Sequence, residues 1–78
     1  MARFYIHLVD DLAVRDEDGL ELPDTLAARE AALAAIRGLM SDEVRKGRLS
    51  FRRRIVVEDE AEETILRIGF RDAIRLEM

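Results

Sequence analysis

The chain has 78 residues, a net charge of −4 at pH 7 and no cysteine. This length fits one domain, residues 1–78, of a size that buries only about 60% of its unfolded surface. Without cysteine, disulfides and thiolate metal sites are excluded, and no apolar run approaches the roughly 20 residues of a membrane span. The Met-Ala-Arg start runs straight into an apolar stretch without a cleavage site, so we expect a cytoplasmic protein without a signal peptide.

The chain opens with an alternating segment, residues 3–9, which is predicted as a strand with one face on the core. After an Asp-Asp turn, residues 12–15 return as a second strand. Residues 16–19 form a turn or loop in which Gly19 supplies a positive φ. Leu20–Leu22 either prolongs the second strand or leads into the next element. The core side of the first strand carries Phe4, Ile6 and Leu8, and its other side carries Arg3, Tyr5 and His7.

A long amphipathic helix is predicted over residues 24–47, and the rest of the chain is organised around it. Asp24 provides N-cap chemistry, and Pro23 restricts the residue before it to an extended conformation. Gly47 can take the left-handed position that ends a helix. The stripe predicted to face the core consists of Leu26, Ala32, Leu33, Ile36, Leu39, Met40 and Val44.

The opposite side of this helix carries small residues where charged side chains are usual. One interpretation is a contact face for a second copy of the chain, since small residues let another backbone approach. The other is that alanine is simply the best helix former. Gly38 favours the first, because glycine weakens a helix by ~1 kcal/mol relative to alanine and so suggests a packing reason. The residues concerned are Ala27, Ala31, Ala34 and Gly38.

Two further strands are predicted after the helix, residues 49–58 and 64–70, joined by an acidic loop at 59–63. Residues 73–77 are either a short edge strand or a frayed tail. The order β-β-α-β-β predicts an α+β fold with one helix on an antiparallel four-stranded sheet. The faces predicted to be shared are Phe51, Arg53, Ile55 and Val57 on the third strand, and Thr64, Leu66, Ile68 and Phe70 on the fourth.

Four short blocks follow one another in a recognisable order: Phe4-Tyr5-Ile6-His7, Asp16-Glu17-Asp18-Gly19, Glu21-Leu22-Pro23-Asp24 and Phe70-Arg71-Asp72-Ala73. They resemble a family of short bacterial proteins catalogued as a domain of unknown function, and the pattern covers nearly the whole chain. Members begin with an aromatic-rich strand ending in His, and Ile6 stands here where a second aromatic is common. The resemblance implies a fold and carries no known activity.

The sequence offers few side chains that could serve in catalysis, since His7 is the single histidine and Ser41 and Ser50 are the only serines. His7 with Tyr5 on one strand face could bind an anion or make a pH-dependent contact, or it could be ordinary half-exposed sheet surface. The loop at 16–19 fails as an EF-hand, because carboxylates are missing at the first and last ligand positions. We therefore predict no enzyme, no cofactor and no metal site.

A basic run at residues 45–54 is the candidate for nucleic-acid binding, flanked on both sides by acidic segments. Strand alternation would split its arginines between two faces, and the chain is acidic overall, which is unusual for a nucleic-acid-binding domain. The folded chain could also bring both signs together so that they cancel. The candidate residues are Arg48, Arg52, Arg53 and Arg54.

The favoured interpretation is a small protein that acts by contact with other proteins, most simply as a homodimer. The predicted sheet carries apolar residues on both faces, more than one helix can cover, and an uncovered apolar face or open edge marks an interface. The alternative is a nucleic-acid-binding or antitoxin-like regulatory module that uses the basic run, an analogy at the level of fold. The interface candidates are Tyr5, His7, Ala27, Ala31, Ala34, Gly38, Val56 and Ile65.

Overall fold

The computed structural model describes residues 1–10 and 13–77. The predicted α+β fold is confirmed, with one helix packed against an antiparallel sheet in the order strand, strand, helix, strand, strand. No helix in the described part of the chain is long and apolar enough to cross a membrane. The elements are β1 (Ala2–Val9), β2 (Ala13–Val14), β3 (Leu20–Leu22), α1 (Thr25–Arg45), β4 (Arg54–Glu58), β5 (Thr64–Gly69) and a short 3₁₀ helix (Phe70–Ala73).

The sheet runs in the order β2-β1-β4-β5, and every pair is antiparallel. β3 also pairs with β1, opposite residues 2–4, whereas β2 pairs opposite residues 8–9. β2 and β3 are therefore two pieces of one interrupted edge strand, and residues 15–19 leave the ladder between them as a loop. The predicted second strand is thus shorter than expected, and its first residue, Leu12, lies outside the described residues.

The ends of α1 follow the sequence prediction. Asp24 has an extended backbone, and its Oδ1 accepts a hydrogen bond from the Ala27 N–H at 2.8 Å, as an N-cap residue does. At the other end Gly47 adopts a φ of +85°, and its N–H donates to the Val44 carbonyl at 2.9 Å. The left-handed glycine thus ends the helix, because it carries no Cβ to oppose that conformation.

The buried stripe of α1 is rotated away from the prediction. Leu26 and Val44 were expected in the core but are 63% and 58% exposed. The prediction centred the stripe on the largest side chains, whereas close packing of a helix on a sheet also suits alanine, which lets the backbones approach. Leu33 and Leu39 lie partly buried against the core. The residues buried against the sheet recur at every fourth position: Ala28, Ala32, Ile36 and Met40.

The strands after the helix also differ in extent from the prediction. β4 begins at Arg54, so Phe51 and Arg53 precede the strand, and residues 74–77 form no strand. A bulge between β4 and β5 pairs Thr64 with Glu58 while Leu66 stays opposite Val57. The extra residue shifts the alternation, so Thr64 does not share the face of Leu66 as expected.

The core lies between α1, the sheet and the 3₁₀ helix. The Arg37 guanidinium ties α1 to the 3₁₀ helix by donating from Nε to the Ala73 carbonyl at 3.0 Å. Phe70, which was predicted as the end of the last strand, instead opens the 3₁₀ helix and is fully buried. The buried apolar side chains are Phe4, Ala28, Ala32, Ile36, Met40, Ile55, Val57, Ile68, Phe70 and Ala73.

Candidate functional site

The face of the sheet opposite α1, called here the open face, is covered in part by the chain itself. Pairing places His7 opposite Val56, and Tyr5 opposite Glu58, on this face. The loop at residues 15–19 lies against it, because a Cβ added to Gly19 would come within 2.9 Å of Tyr5 Cε1. The open face is therefore not the bare apolar surface that the sequence suggested.

Exposure values support this correction. Tyr5 and Val56 are half-buried, and His7 is 3% exposed. Ile65, also predicted on the open face, is the extra residue of the bulge and packs against the core. The large apolar side chains that remain exposed belong to other parts of the described chain: Met1, Val14, Leu20, Leu26, Val44, Leu49 and Leu76.

His7 is held at both ring nitrogens. Its Nδ1 accepts the backbone N–H of Asp16 at 2.9 Å, and its Nε2 lies 3.0 Å from Oε1 of Glu58. A backbone N–H can only donate, so Nδ1 must be the acceptor and carry no proton. Nε2 then carries the ring proton and donates it to the Glu58 carboxylate. This assigns the neutral tautomer from the hydrogen-bond partners.

Asp16 organises the loop that covers His7. Its Oδ2 accepts the Ile6 N–H at 3.2 Å, in the part of β1 that lies between β2 and β3. Its Oδ1 accepts the N–H groups of Asp18 at 3.2 Å and Gly19 at 3.0 Å, which closes the turn. Burial by itself would raise the pKa of Asp16, but these N–H groups, with a smaller contribution from His7, hold it below the ordinary value of 3.8.

These residues border a surface pocket of about 290 Å³. Its acidic side chains come from the loop and from the β4–β5 hairpin, which β1 brings together. Arg15 enters among them, with Nη2 at 3.3 Å from Glu58 Oε1. Within the described residues, no group of three or more His, Asp and Glu side chains is arranged to hold a metal ion. The pocket is lined by Tyr5, His7, Arg15, Asp16, Glu17, Glu58, Glu60 and Glu62.

The arrangement fixes the loop and leaves His7 without a nitrogen to offer to a ligand. A general base or a metal-binding imidazole needs one ring nitrogen with an available lone pair. Here the lone pair of Nδ1 is taken by Asp16, and Nε2 is a donor to Glu58. In this state His7 fastens β1, β4 and the loop to one another.

The small-residue side of α1 faces away from the core. Ala27 and Ala31 are half-buried, whereas Ala34 and Gly38 are exposed. A Cβ added to Gly38 would meet no atom within 4 Å. The described chain therefore supplies no packing reason for glycine at this position.

The predicted nucleic-acid residues lie together at one end of the molecule. Arg53 is bound to two acids, with Nε at 3.2 Å from Asp10 Oδ2 and Nη1 against Glu43. Arg48, Arg52 and Arg53 border a surface pocket of about 120 Å³.

The two signs of charge remain largely apart in the fold. Arg54 opens β4 at the basic end, and Glu58 closes that strand beside the acidic hairpin. Arg48, Arg52 and Arg54 are exposed. The strand thus separates the basic run from the acidic residues 59–63, whereas Asp10 of the other acidic segment pairs with Arg53.

Sequence reasoning singled out His7 but missed its two partners. Asp16 could be recognised as part of a turn motif. An Asp with a Gly three residues later is typical of a turn in which the Asp side chain accepts backbone N–H groups. Glu58 lies 51 positions from His7. No local pattern connects residues so far apart, so only the strand register shows that they meet.

These features define a small α+β domain whose open sheet face is fastened by a polar loop. The family model "Domain of unknown function (DUF6894)" matches residues 3–71. The chain belongs to this family, which is consistent with the resemblance noted in its sequence. Comparison with curated proteins found no match, and comparison with solved structures found none either.

Proposed function

We propose that this domain is a non-enzymatic contact module that associates with a second copy of itself through the outer edge of β5. The observation that carries the proposal is the difference between the two sheet edges. The β1 side is covered by two short pieces, β2 and β3, with the Asp16 side chain bonded to β1 between them. Interruption of this kind blocks pairing with other strands.

The β5 edge is not interrupted in this way, and its irregularity is the bulge at Ile65 near its start. β5 is continuous over Thr64–Gly69, and within the described residues it pairs with β4 and has no strand on its other side. The Phe70 N–H donates to the Arg53 carbonyl at 3.1 Å, next to the register pair of Arg54 with Gly69. By antiparallel alternation, the backbone groups of Arg67 therefore point away from β4 and are available to a further strand.

A symmetric pairing of two such edges is chemically acceptable. If a second copy lies antiparallel with Leu66 opposite its own counterpart, Arg67 lies beside the bulged residue Ile65 of that copy and not beside its Arg67. Like charges therefore do not meet, whereas a register centred on Arg67 would oppose two guanidinium groups. The helices of both copies then lie on the same side of one continuous sheet.

Substitution of the edge backbone tests this proposal. Arg67→Pro removes an outward N–H and leaves the bonds to β4 in place, so the fold should persist. Arg67→Thr is the matched control, because it removes the same charge and keeps the N–H. Light scattering on a sizing column at tens of micromolar should give twice the monomer mass for the wild type and Arg67→Thr, and the monomer mass for Arg67→Pro.

Two results would contradict the proposal. One is a wild-type protein that remains monomeric at tens of micromolar, the range of ordinary associations. The other is an Arg67→Pro variant that stays dimeric with an unchanged circular dichroism spectrum. The second result would move the contact to another surface, such as the small-residue side of α1.

Nucleic-acid binding is the second candidate function, supported by the exposure of Arg48, Arg52 and Arg54 at one end of the fold. The ion pairs of Arg53 with Asp10 and Glu43 weaken it, because they neutralise part of the basic end. A DNA or RNA mobility shift that falls with added salt and is lost when Arg52, Arg53 and Arg54 are replaced by Ala would support this alternative.

A further inference from the structure

We propose that His7 is a proton-operated clasp, which holds the loop at residues 15–19 on the open face when neutral and releases it when protonated. This clasp lies at the β2 and β3 edge of the sheet, on the far side from β5. It therefore does not depend on the proposed self-association.

The donor and acceptor pattern around His7 carries the inference. The neutral ring offers one acceptor, Nδ1, and this accepts the Asp16 N–H at 2.9 Å. A protonated imidazole has a hydrogen on both nitrogens and no acceptor. Two donors would then face each other at a ring that is 3% exposed, where water cannot easily intervene. Protonation is therefore incompatible with the Asp16 contact.

The hydrogen bond at the second ring nitrogen is compatible with both protonation states. Nε2 donates to Glu58 in the neutral state and can continue to do so in the charged state, as a stronger charge-assisted bond. β4 therefore keeps its hold on the ring. The bond that must break is the one to the loop.

The charged groups around the ring come from the loop, from β4 and from β5. The loop contributes Asp16 and Glu17, and the end of β4 contributes Glu58, while Arg15 opposes them from its position beside Glu58. On β5, Arg67 lies one strand further across the open face, opposite Val56. The remaining titratable groups that line the pocket are Tyr5, Glu60 and Glu62.

Release of Asp16 from His7 would loosen the rest of the loop. The same residue accepts the Ile6 N–H of β1 through its carboxylate. Gly19 also packs on the side chains of Arg3 and Tyr5. The acid-released state therefore uncovers the middle of β1, both at its edge and on the open face.

NMR on the full chain tests the clasp, because His7 is the single histidine and its ring signals are unambiguous. The amides of Ile6, Asp18 and Gly19 report on the loop by hydrogen exchange, corrected for intrinsic rates. Opening takes up one proton, so the opening constant should rise about tenfold for each unit fall in pH over the range in which the ring titrates. The amides of Ile55 and Val57 in β4 should keep their protection.

The variant His7→Asn provides the control. Its side-chain oxygen can accept the Asp16 N–H from the position of Nδ1, but it does not titrate. Loop protection should then be independent of pH over the same range. The inference is overturned if the wild-type ring titrates while the loop amides and the Asp16 amide signal stay unchanged. It is also overturned if the loop of the wild-type protein opens at a pH at which the His7 ring is still neutral. This outcome can be measured without any variant.

Discussion

The two faces of the sheet are closed by different physical means. On the helix side, Ile36, Val57 and Phe70 are almost completely removed from water, and the contact is apolar. On the open side, the loop at residues 15–19 is held by hydrogen bonds to His7 and from the N–H of Ile6. Apolar burial is non-directional and insensitive to protons, whereas the polar contact depends on geometry and on protonation. The first face therefore supplies stability, and the second can respond to its surroundings.

Removing apolar volume from the helix face should have the largest effect. Ile36→Ala deletes a fully buried side chain and should lower the free energy of unfolding by about 2–5 kcal/mol. Leu26→Ala on the same helix is the control, because Leu26 is 63% exposed and such changes stay within about 0.5 kcal/mol. Urea unfolding measures both. Equal effects would mean that the buried stripe was assigned to the wrong side of α1.

This part of the fold shows what a single sequence can predict. The caps at Asp24 and Gly47 are local signals, and the structure confirms both. The stripe was assigned partly wrongly, because large side chains such as Leu26 and Val44 dominate a hydrophobicity pattern whatever they contact. The side of a helix that faces the sheet depends on which small residues, such as Ala28, allow close packing between them. This cannot be predicted before the position of the sheet is known.

The open face was harder to predict for a related reason. Alternation correctly put Tyr5 and His7 on one side of β1 and suggested an uncovered surface. The loop that covers them is short and polar, and only its Asp16-to-Gly19 turn is visible locally. The contact of His7 with Glu58 depends on a strand register set by the whole sheet. A bulge that moved Ile65 into the core also left no signal in the alternation.

Removing the carboxylate that organises the loop should have an intermediate effect. Asp16→Ala leaves the N–H groups of Ile6, Asp18 and Gly19 without their acceptor. We expect a loss of about 1–3 kcal/mol in the free energy of unfolding at neutral pH. Glu17→Ala, an exposed acid of the same loop, serves as the control and should change little. An unchanged unfolding curve for Asp16→Ala would mean that the loop does not contribute to stability.

The same carboxylate gives the open face a second dependence on pH. The pKa of Asp16 is lower in the folded chain than its ordinary value of 3.8. Its contribution to stability is therefore complete above the unfolded pKa and is lost as the pH falls through the folded pKa. In the His7→Asn background, which keeps the loop in place, acid unfolding curves with and without Asp16→Ala should keep a constant difference down to about pH 4 and converge below it. A difference that persists unchanged well below that pH would show that Asp16 is not stabilised as the carboxylate.

The smallest effects concern two glycines, and they should have opposite signs. Gly19→Ala puts a Cβ at 2.8 Å from Arg3 Cγ, in a backbone with a φ of +73°. Gly19→Ala should lower the free energy of unfolding by about 1–2 kcal/mol, because residues that carry a Cβ disfavour this conformation. Gly38→Ala meets no atom within 4 Å and should stabilise the helix by about 0.5–1 kcal/mol. Thermal unfolding at low protein concentration measures both. If Gly38→Ala instead lowered the unfolding temperature, and did so more strongly at higher protein concentration, Gly38 would pack against another chain on the outer side of α1.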